Sequence, residues 1–396
     1  MNETIYMPVG EVCSSISDTY REKKNMVTLI NTSDVLEGRV LNHERVPNSN
    51  LKGQFKKTFQ RDDILYSEIR PQNRRFAYVD FSPIDYIAST KLMVIRAKKD
   101  VVSPKYLYYF LKNSSTVAEL QLLAETRSGT FPQITFSEVA NLTIPVPPLA
   151  VQEVIVQTMQ CLEDKTICNE QINDNLQQQA AAIFRSWFVD YVPFGGTVPD
   201  EWKNVTLEDI TTLVSRGITP KYADDTGQIV INQKCIRNHM IDLSFARSHR
   251  PKVINNKWLQ FGDLLINSTG DGTLGRAAQV WFQPHNLTVD SHVTIVRPAA
   301  ENMIFYIGLW GTQHEKEIES LHTGSTGQTE LPRDRVKAIE LLLPDKETLE
   351  RFNALIAPMA AAIVSNQEEN NRLASIRDAL LPKLMSGKID VSAIQL

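Results

Sequence analysis

Apolar residues recur in alternating steps of four and three from Ile155 through Met159, Leu162, Thr166, Asn169, Asn173, Leu176, Ala180 and Ile183 to Trp187. This is the a/d seam of a heptad repeat. The same seam returns 197 positions later, through Phe352, Ile356, Met359, Ile363, Asn366, Asn370, Leu373, Arg377, Leu380 and Leu384. Each seam predicts a long amphipathic helix whose apolar stripe must be buried, either on the other copy or on its own globular half. The asparagines in mid-seam, Asn169 and Asn173 with Asn366 and Asn370, favour the other copy, because a polar core residue weakens a coiled coil but fixes its register. Tandem duplicates close most easily about a pseudo-twofold axis, which predicts an antiparallel pair. Asn169 and Asn366, near the helix midpoints, are then expected to meet and hydrogen-bond.

Ahead of the first helix the pattern is one of short strands. Asp63–Tyr66, Phe76–Val79 and Leu92–Ile95 read as strands, and Tyr106–Leu111 and Val117–Leu123 carry helical spacing. Ile144-Pro145-Val146-Pro147-Pro148 closes this block, since its prolines forbid helix before Pro148 and suit the first turn after it. Residues 199 to about 344 replay the landmarks: Ile30-Asn31 as Ile231-Asn232, Asp63-Ile64-Leu65 as Asp263-Leu264-Leu265, Arg96 as Arg297 and Ile144-Pro145 as Leu343-Pro344. A tandem duplication of a globular domain plus a long helix follows. The fold class is α+β: a first mixed domain at 1–148, a first long helix at 149–190, a connector and second domain at 191–344, and a second long helix with a tail at 345–396.

The scaffold repeats while two loops differ. After the Asp63 strand come Ser67, Arg70, Gln72, Asn73, Arg74 and Arg75; after the Asp263 strand come Asn267, Ser268, Thr269, Asp271, Thr273 and Arg276. A second pair holds Arg127, Ser128, Thr130 and Gln133 in one half and Thr323, Ser325, Thr326 and Gln328 in the other, and Lys221 adds a cation to the latter half. These are side-chain types that read base edges and phosphates, although ordinary solvated loops have the same composition.

Charge and motifs narrow the reading. The 396 residues carry 42 Lys and Arg against 46 Asp and Glu, a net charge of −4, which argues against a free-standing nucleic-acid binder. Bases outnumber acids between residues 52 and 99, as a solvated face or as a face for an anionic partner. Four scattered cysteines give neither a disulfide framework nor a zinc spacing. No apolar run is long enough to span a bilayer and the start lacks the pattern of a signal peptide, so a soluble, cytoplasmic chain is expected. Gly270-Asp271-Gly272-Thr273-Leu274-Gly275 matches a dinucleotide fingerprint but leads into a strand, and a hairpin turn fits it better. Pro199-Asp200-Glu201-Trp202 reads as a turn with a helix start, and His314-Glu315 lacks the second histidine of a zinc-protease helix. No catalytic centre is expected.

The closing run Arg377-Asp378-Ala379-Leu380-Leu381-Pro382-Lys383-Leu384-Met385-Ser386-Gly387-Lys388-Ile389 resembles the C-terminal signature of the DNA-specificity subunit of type I restriction-modification enzymes. The Pro145-to-Leu149 helix entry with Gln152-Glu153, and the Asp-Ile-Leu and Asp-Leu-Leu strands, are similar to the same family. Two departures stand out: the first half has no Pro-x-x-Trp like that at Pro199, and Pro344-Asp345-Lys346 replaces Pro-Pro-Leu. The resemblance implies a non-catalytic host-defence protein with two target recognition domains reading a split sequence in double-stranded DNA. Its helices would act as spacer and docking surface, with Gln177, Gln178, Gln179, Glu368 and Arg372 on outward faces. Methyltransferase subunits and restriction-translocase subunits would be its partners; S-adenosylmethionine, ATP and Mg would belong to them, with no cofactor and no membrane contact in this chain. The competing reading is a protein-protein adaptor with two binding domains on a coiled coil.

Overall fold

The computed structural model describes residues 4–22, 24–49, 53–126, 132–224, 226–324 and 329–391. The chain divides into two compact units, residues 1–167 with 370–396, and residues 168–369. Each long helix, Leu149–Phe188 or Lys346–Met385, therefore lies partly in one unit and partly in the other.

Both units are built on one plan. In the first, an antiparallel sheet runs in the order Cys13–Ile16, Leu92–Ala97, Ile64–Ser67, Phe76–Tyr78. The second repeats it with Thr211–Arg216, Val293–Pro298, Leu264–Asn267 and Ala277–Gln279. A smaller sheet in each contains a parallel pair, Met26–Ile30 with Tyr86–Ser89 and Ile229–Ile231 with Leu287–Val289. A two-stranded antiparallel ribbon joins the two ends of each globular part: Ile5–Pro8 with Thr143–Val146, and Lys203–Thr206 with Glu340–Leu343. Strand Ile5–Pro8 thus fills in the first unit the place of Lys203–Thr206, without a Pro-x-x-Trp before it. Pro199–Trp202 is a turn running into that strand and not a helix start.

The central strands Ile64–Ser67 and Leu264–Asn267 are buried at every position, as strands covered on both faces are. Immediately before each sits a buried carboxylate. Asp63 accepts Arg96 Nε and Nη2, both at 2.7 Å, and the Gln60 amide at 2.8 Å. Asp263 accepts Arg297 Nε at 2.7 Å, Nη2 at 2.8 Å and the Gln260 amide at 2.8 Å. Burial pushes the Asp263 carboxyl up, and the guanidinium only partly opposes it. The landmarks that reveal the repeat are thus the ion pairs at its base. Arg96 and Lys99 are thus engaged by Asp63 and Asp62 of the same stretch, and Lys57 donates to the Thr90 and Leu92 carbonyls, while the net basic surplus of residues 52–99 stands.

The helical stripe is buried in both of the expected ways at once. In the first unit Ile155, Val156 and Met159 pack with Leu381, Leu384 and Met385, and also with the globular residues Tyr106, Leu107 and Ile144. In the second, Ala180, Phe184 and Phe188 pack with Phe352, Ile356 and Ala360 and with Tyr306 and Trp202. The start of one helix lies with the end of the other in each unit, so the pairing is antiparallel. The asparagine register differs from expectation by one turn. Asn366 Nδ2 donates to Asn173 Oδ1 at 2.8 Å, whereas Asn169 Nδ2 donates to Glu369 Oε2 at 2.8 Å and Asn370 Nδ2 to the Thr166 carbonyl at 3.4 Å. The Phe352 ring packs 4.8 Å from Phe188 and 5.7 Å from Trp187, which fixes the register through apolar bulk. Aromatic burial outweighs one amide pair by several-fold in free energy, so the asparagines follow the rings.

Asp345, the departure from Pro-Pro-Leu, caps the second helix. Its carboxylate accepts the Thr348 amide at 2.9 Å, the Thr348 hydroxyl at 2.6 Å and Trp202 Nε1 at 3.2 Å. Against the effect of burial, these hydrogen bonds hold its pKa below the ordinary value. A depressed carboxyl contributes stability that is present above its unfolded pKa of about 3.9 and is lost as pH falls through the folded value. Asp345→Ala is expected to cost about 1 kcal/mol at pH 7 and much less at acid pH. Thermal unfolding of both proteins at the two pH values checks it; an undiminished difference in acid would show that the charge is not responsible.

Candidate nucleic-acid interface

In the first unit, residues 68–75 join the hairpin strands Ile64–Ser67 and Phe76–Tyr78. Pro71–Asn73 form a 3-10 turn flanked by Arg70 at φ 44° and Arg74 at φ 52°, left-handed conformations that turn the chain back sharply. Arg70, Gln72 and Asn73 are exposed. Arg74 donates to Ser114 Oγ at 2.9 Å and Arg75 to the Ser33 carbonyl at 2.9 Å, so both guanidiniums are oriented by the frame. Ser67 is buried, and its hydroxyl accepts the Ile69 amide at 3.0 Å. The second loop returns beside the first: the Arg70 amide donates to Pro132 at 3.1 Å, Ile134 donates to Glu68 at 2.9 Å, and Ile69 bridges to Gln133.

The second unit repeats the arrangement. Residues 268–276 form a turn between Leu264–Asn267 and Ala277–Gln279, and no helix follows it. Gly270 lies at φ 102°, a conformation that L side chains rarely adopt, and a Cβ there would crowd Thr273 Oγ1 at 2.5 Å and Gln233 Oε1 at 2.7 Å. Asp271 is exposed; Arg276 Nη2 donates to the Gly272 carbonyl at 2.8 Å, and Thr273 bonds back to Gly270 at 3.3 Å. Asn267 and Ser268 are buried. Asn267 Nδ2 donates to the Gln233 carbonyl at 3.1 Å and Ser268 Oγ lies 2.6 Å from Thr294 Oγ1. Leu331 donates to Ser268 at 2.8 Å, and Thr269 and Thr323 both bridge to Glu330, so the second loop again lies against the first. Lys221 is exposed, with its carbonyl accepting from Arg250.

In each unit the described flanks of the second candidate loop, Pro132–Ile134 or Thr323 with Glu330 and Leu331, lie against the first loop. Arg127, Ser128, Thr130, Ser325, Thr326 and Gln328 lie outside the described residues. Among the described residues there is no cluster of His, Cys, Asp and Glu able to hold a metal, and no helix is long and apolar enough to cross a membrane.

A family model of the type I restriction modification DNA specificity domain matches residues 6–178. The HindI type I restriction enzyme specificity subunit of Haemophilus influenzae is 29% identical, over 92% of this chain and 94% of its own. The chain is thus similar to type I DNA-specificity subunits over most of its length, and its residues 6–178 match the domain of that family. The MjaIX specificity subunit of Methanocaldococcus jannaschii is 25% identical over 79% of this chain and 77% of its own. The solved S subunit of a type I system from M. genitalium shares the fold, with a TM-score of 0.55 and 14% identity over 97% of this chain and 96% of that one.

The candidate positions differ in exposure, and Arg74, Arg75, Gln133, Thr269, Thr273 and Arg276 are half-buried. Arg70, Gln72, Asn73, Asp271 and Thr323 are exposed, whereas Ser67, Asn267 and Ser268 are buried and hold the loops to the sheet. Sequence reasoning passes over several neighbours. Lys234, Arg237, Arg247, Arg250, Lys252 and Lys257 face a single acid, Asp242, between residues 234 and 257, a basic surplus in the second half to match that of the first. Arg247 stacks 3.6 Å over the Tyr222 ring. The hairpin Ile236–Ile241, with Asn238 and His239 both at positive φ, forms one wall of a cleft of about 430 Å³ that Gln177, Arg276 and Glu315 also line. Gln177 is half-buried and faces this hairpin across the cleft. Charge runs broken by turns and strands conceal such surfaces in a linear reading.

Proposed function

We propose that this specificity subunit reads double-stranded DNA in two blocks, one per globular unit, with an unread spacer between them. The observation that carries the reading is the double construction: the same sheet, the same buried Asp–Arg pair and the same two apposed loops occur twice, with different polar side chains on each. A repeated frame with variable loops is what two independent half-site readers require, since base edges are distinguished by the pattern of donors and acceptors. Arg70, Gln72, Asn73, Arg74 and Arg75 face the first block; Thr269, Asp271, Thr273, Arg276, Thr323 and Lys221 face the second. The chain performs no chemistry itself and works in the cytoplasm. Methyltransferase and restriction-translocase subunits assemble on it and bring S-adenosylmethionine, ATP and Mg.

Salt titration of duplex binding by the purified assembly tests this against the adaptor reading. Each phosphate contact lowers the slope of log affinity against log salt by about 0.9, so several contacts predict a steep loss between 50 and 200 mM, salt concentrations chosen on the same principle. Binding that is flat with salt, or equal for all sequences, contradicts the reading.

A further inference from the structure

Lys91 and His292 occupy the same place in the two units and are fixed there by the same bonds. Each directly precedes the strand beside the hairpin, Leu92–Ala97 or Val293–Pro298. The Lys91 carbonyl accepts the Glu68 amide at 3.0 Å, and the His292 carbonyl accepts the Ser268 amide at 2.8 Å. The amide of each is held from the preceding turn, Lys91 by Ser89 Oγ at 3.3 Å and His292 by Asp290 Oδ1 at 2.9 Å. The backbone is thus bonded on both sides, while the side chain is exposed at the junction of the two loops.

What the side chain then touches differs. Lys91 Nζ reaches Glu68 Oε2 in the first loop and Gln133 Oε1 in the second, each at 3.4 Å, so one ammonium ties both loops together. His292 Nδ1 lies 2.8 Å from Thr269 Oγ1, and that hydroxyl is 3.4 Å from Gln233 Oε1. Thr269 in turn bridges through its backbone to Glu330 of the second segment. A lysine offers donors only, whereas an imidazole nitrogen either donates or accepts according to its tautomer. The residue at this position therefore decides which loop hydroxyls, amides and carboxylates are occupied internally and which remain for a ligand.

We propose that Lys91 and His292 are equivalent positioning residues that set the base preference of the first and second half-site respectively. The proposal rests on the reading of the loops as DNA readers. The test is selection of bound duplexes from a random-sequence library by the full assembly, comparing wild type with Lys91→Met, Lys91→Arg, His292→Phe and His292→Asn. Lys91→Met is expected to reduce discrimination within the first block about ten-fold, the scale of one base-directed contact, and to leave the second block unchanged. His292→Phe does the converse. The conservative variants, which keep polar nitrogen near the loop, restore most of the preference. The unaffected block serves as the internal control for folding, because a misfolded chain loses both. Unchanged preference in both blocks overturns the proposal while leaving the two-block reading intact. Equal loss in both blocks, or an arginine or asparagine variant as impaired as its apolar counterpart, assigns these residues to folding alone and also overturns it. A wild-type assembly without any preferred sequence overturns the two-block reading and the proposal with it.

Discussion

Asp263→Ala is expected to destabilise the second unit by about 3 to 5 kcal/mol, the cost of leaving a buried charge without its partner. The Asp263 side chain is wholly buried and Arg297 is 12% exposed, so removing the carboxylate strands a guanidinium that water barely reaches. Arg297 retains the Asn256 and Trp258 carbonyls, at 3.0 and 2.7 Å, as its remaining partners among the described residues. The equivalent Asp63→Ala is expected to cost less, since the Arg96 side chain is 30% exposed and can recover hydration. Adding Arg297→Met to Asp263→Ala should recover much of the loss, because an apolar pair of similar volume carries no unpaired charge. Hydrogen exchange resolved along the chain measures each unit separately. A loss under 1 kcal/mol for Asp263→Ala, or no recovery in the double variant, would contradict the assignment of the pair as the base of the hairpin.

The second large effect concerns function. Joint replacement of Arg70, Gln72 and Asn73 by alanine is expected to weaken discrimination in the first block by about two powers of ten or more, since each of the three base-directed contacts is worth about 1 to 3 kcal/mol and about 1.4 kcal/mol is tenfold. Stability should hardly change, because these side chains are exposed on a loop. Asn267→Ala is expected to behave in the opposite sense. Its side chain is buried against the Gln233 carbonyl, so the loss falls on the folding of the second unit first, by about 1 to 3 kcal/mol for the carbonyl left unbonded. Competition binding with duplexes altered in one block, together with melting curves, separates the two classes. A first-loop variant that relaxed only the second block would reverse the assignment.

Much of this organisation is legible in the sequence, and the reason is periodicity. The heptad seam, the Asp-before-strand landmarks and the Ile144–Pro148 closure are local patterns whose physics is local, so they predict the elements and their duplication. The register of Asn173 against Asn366 is different, because it is decided by rings at Phe188 and Phe352 that lie far from the asparagines in sequence. Ser67, Asn267 and Ser268 have the composition of a binding loop but lie buried, Ser67 at the end of a covered strand and Asn267 and Ser268 bonded to Gln233 and Thr294, partners that only the fold brings near. Lys91 and His292 show the converse. Each ends a short polar turn, Ser89-Thr90-Lys91 or Asp290-Ser291-His292, like many others in the chain, and their place beside the loops follows from strand pairing alone.

Selection from a random duplex library by the wild-type assembly tests the central claim most directly. Two short blocks of preferred sequence, separated by a constant number of positions without preference, are the predicted result. A single uninterrupted motif, or recovery of unselected sequence, would contradict it.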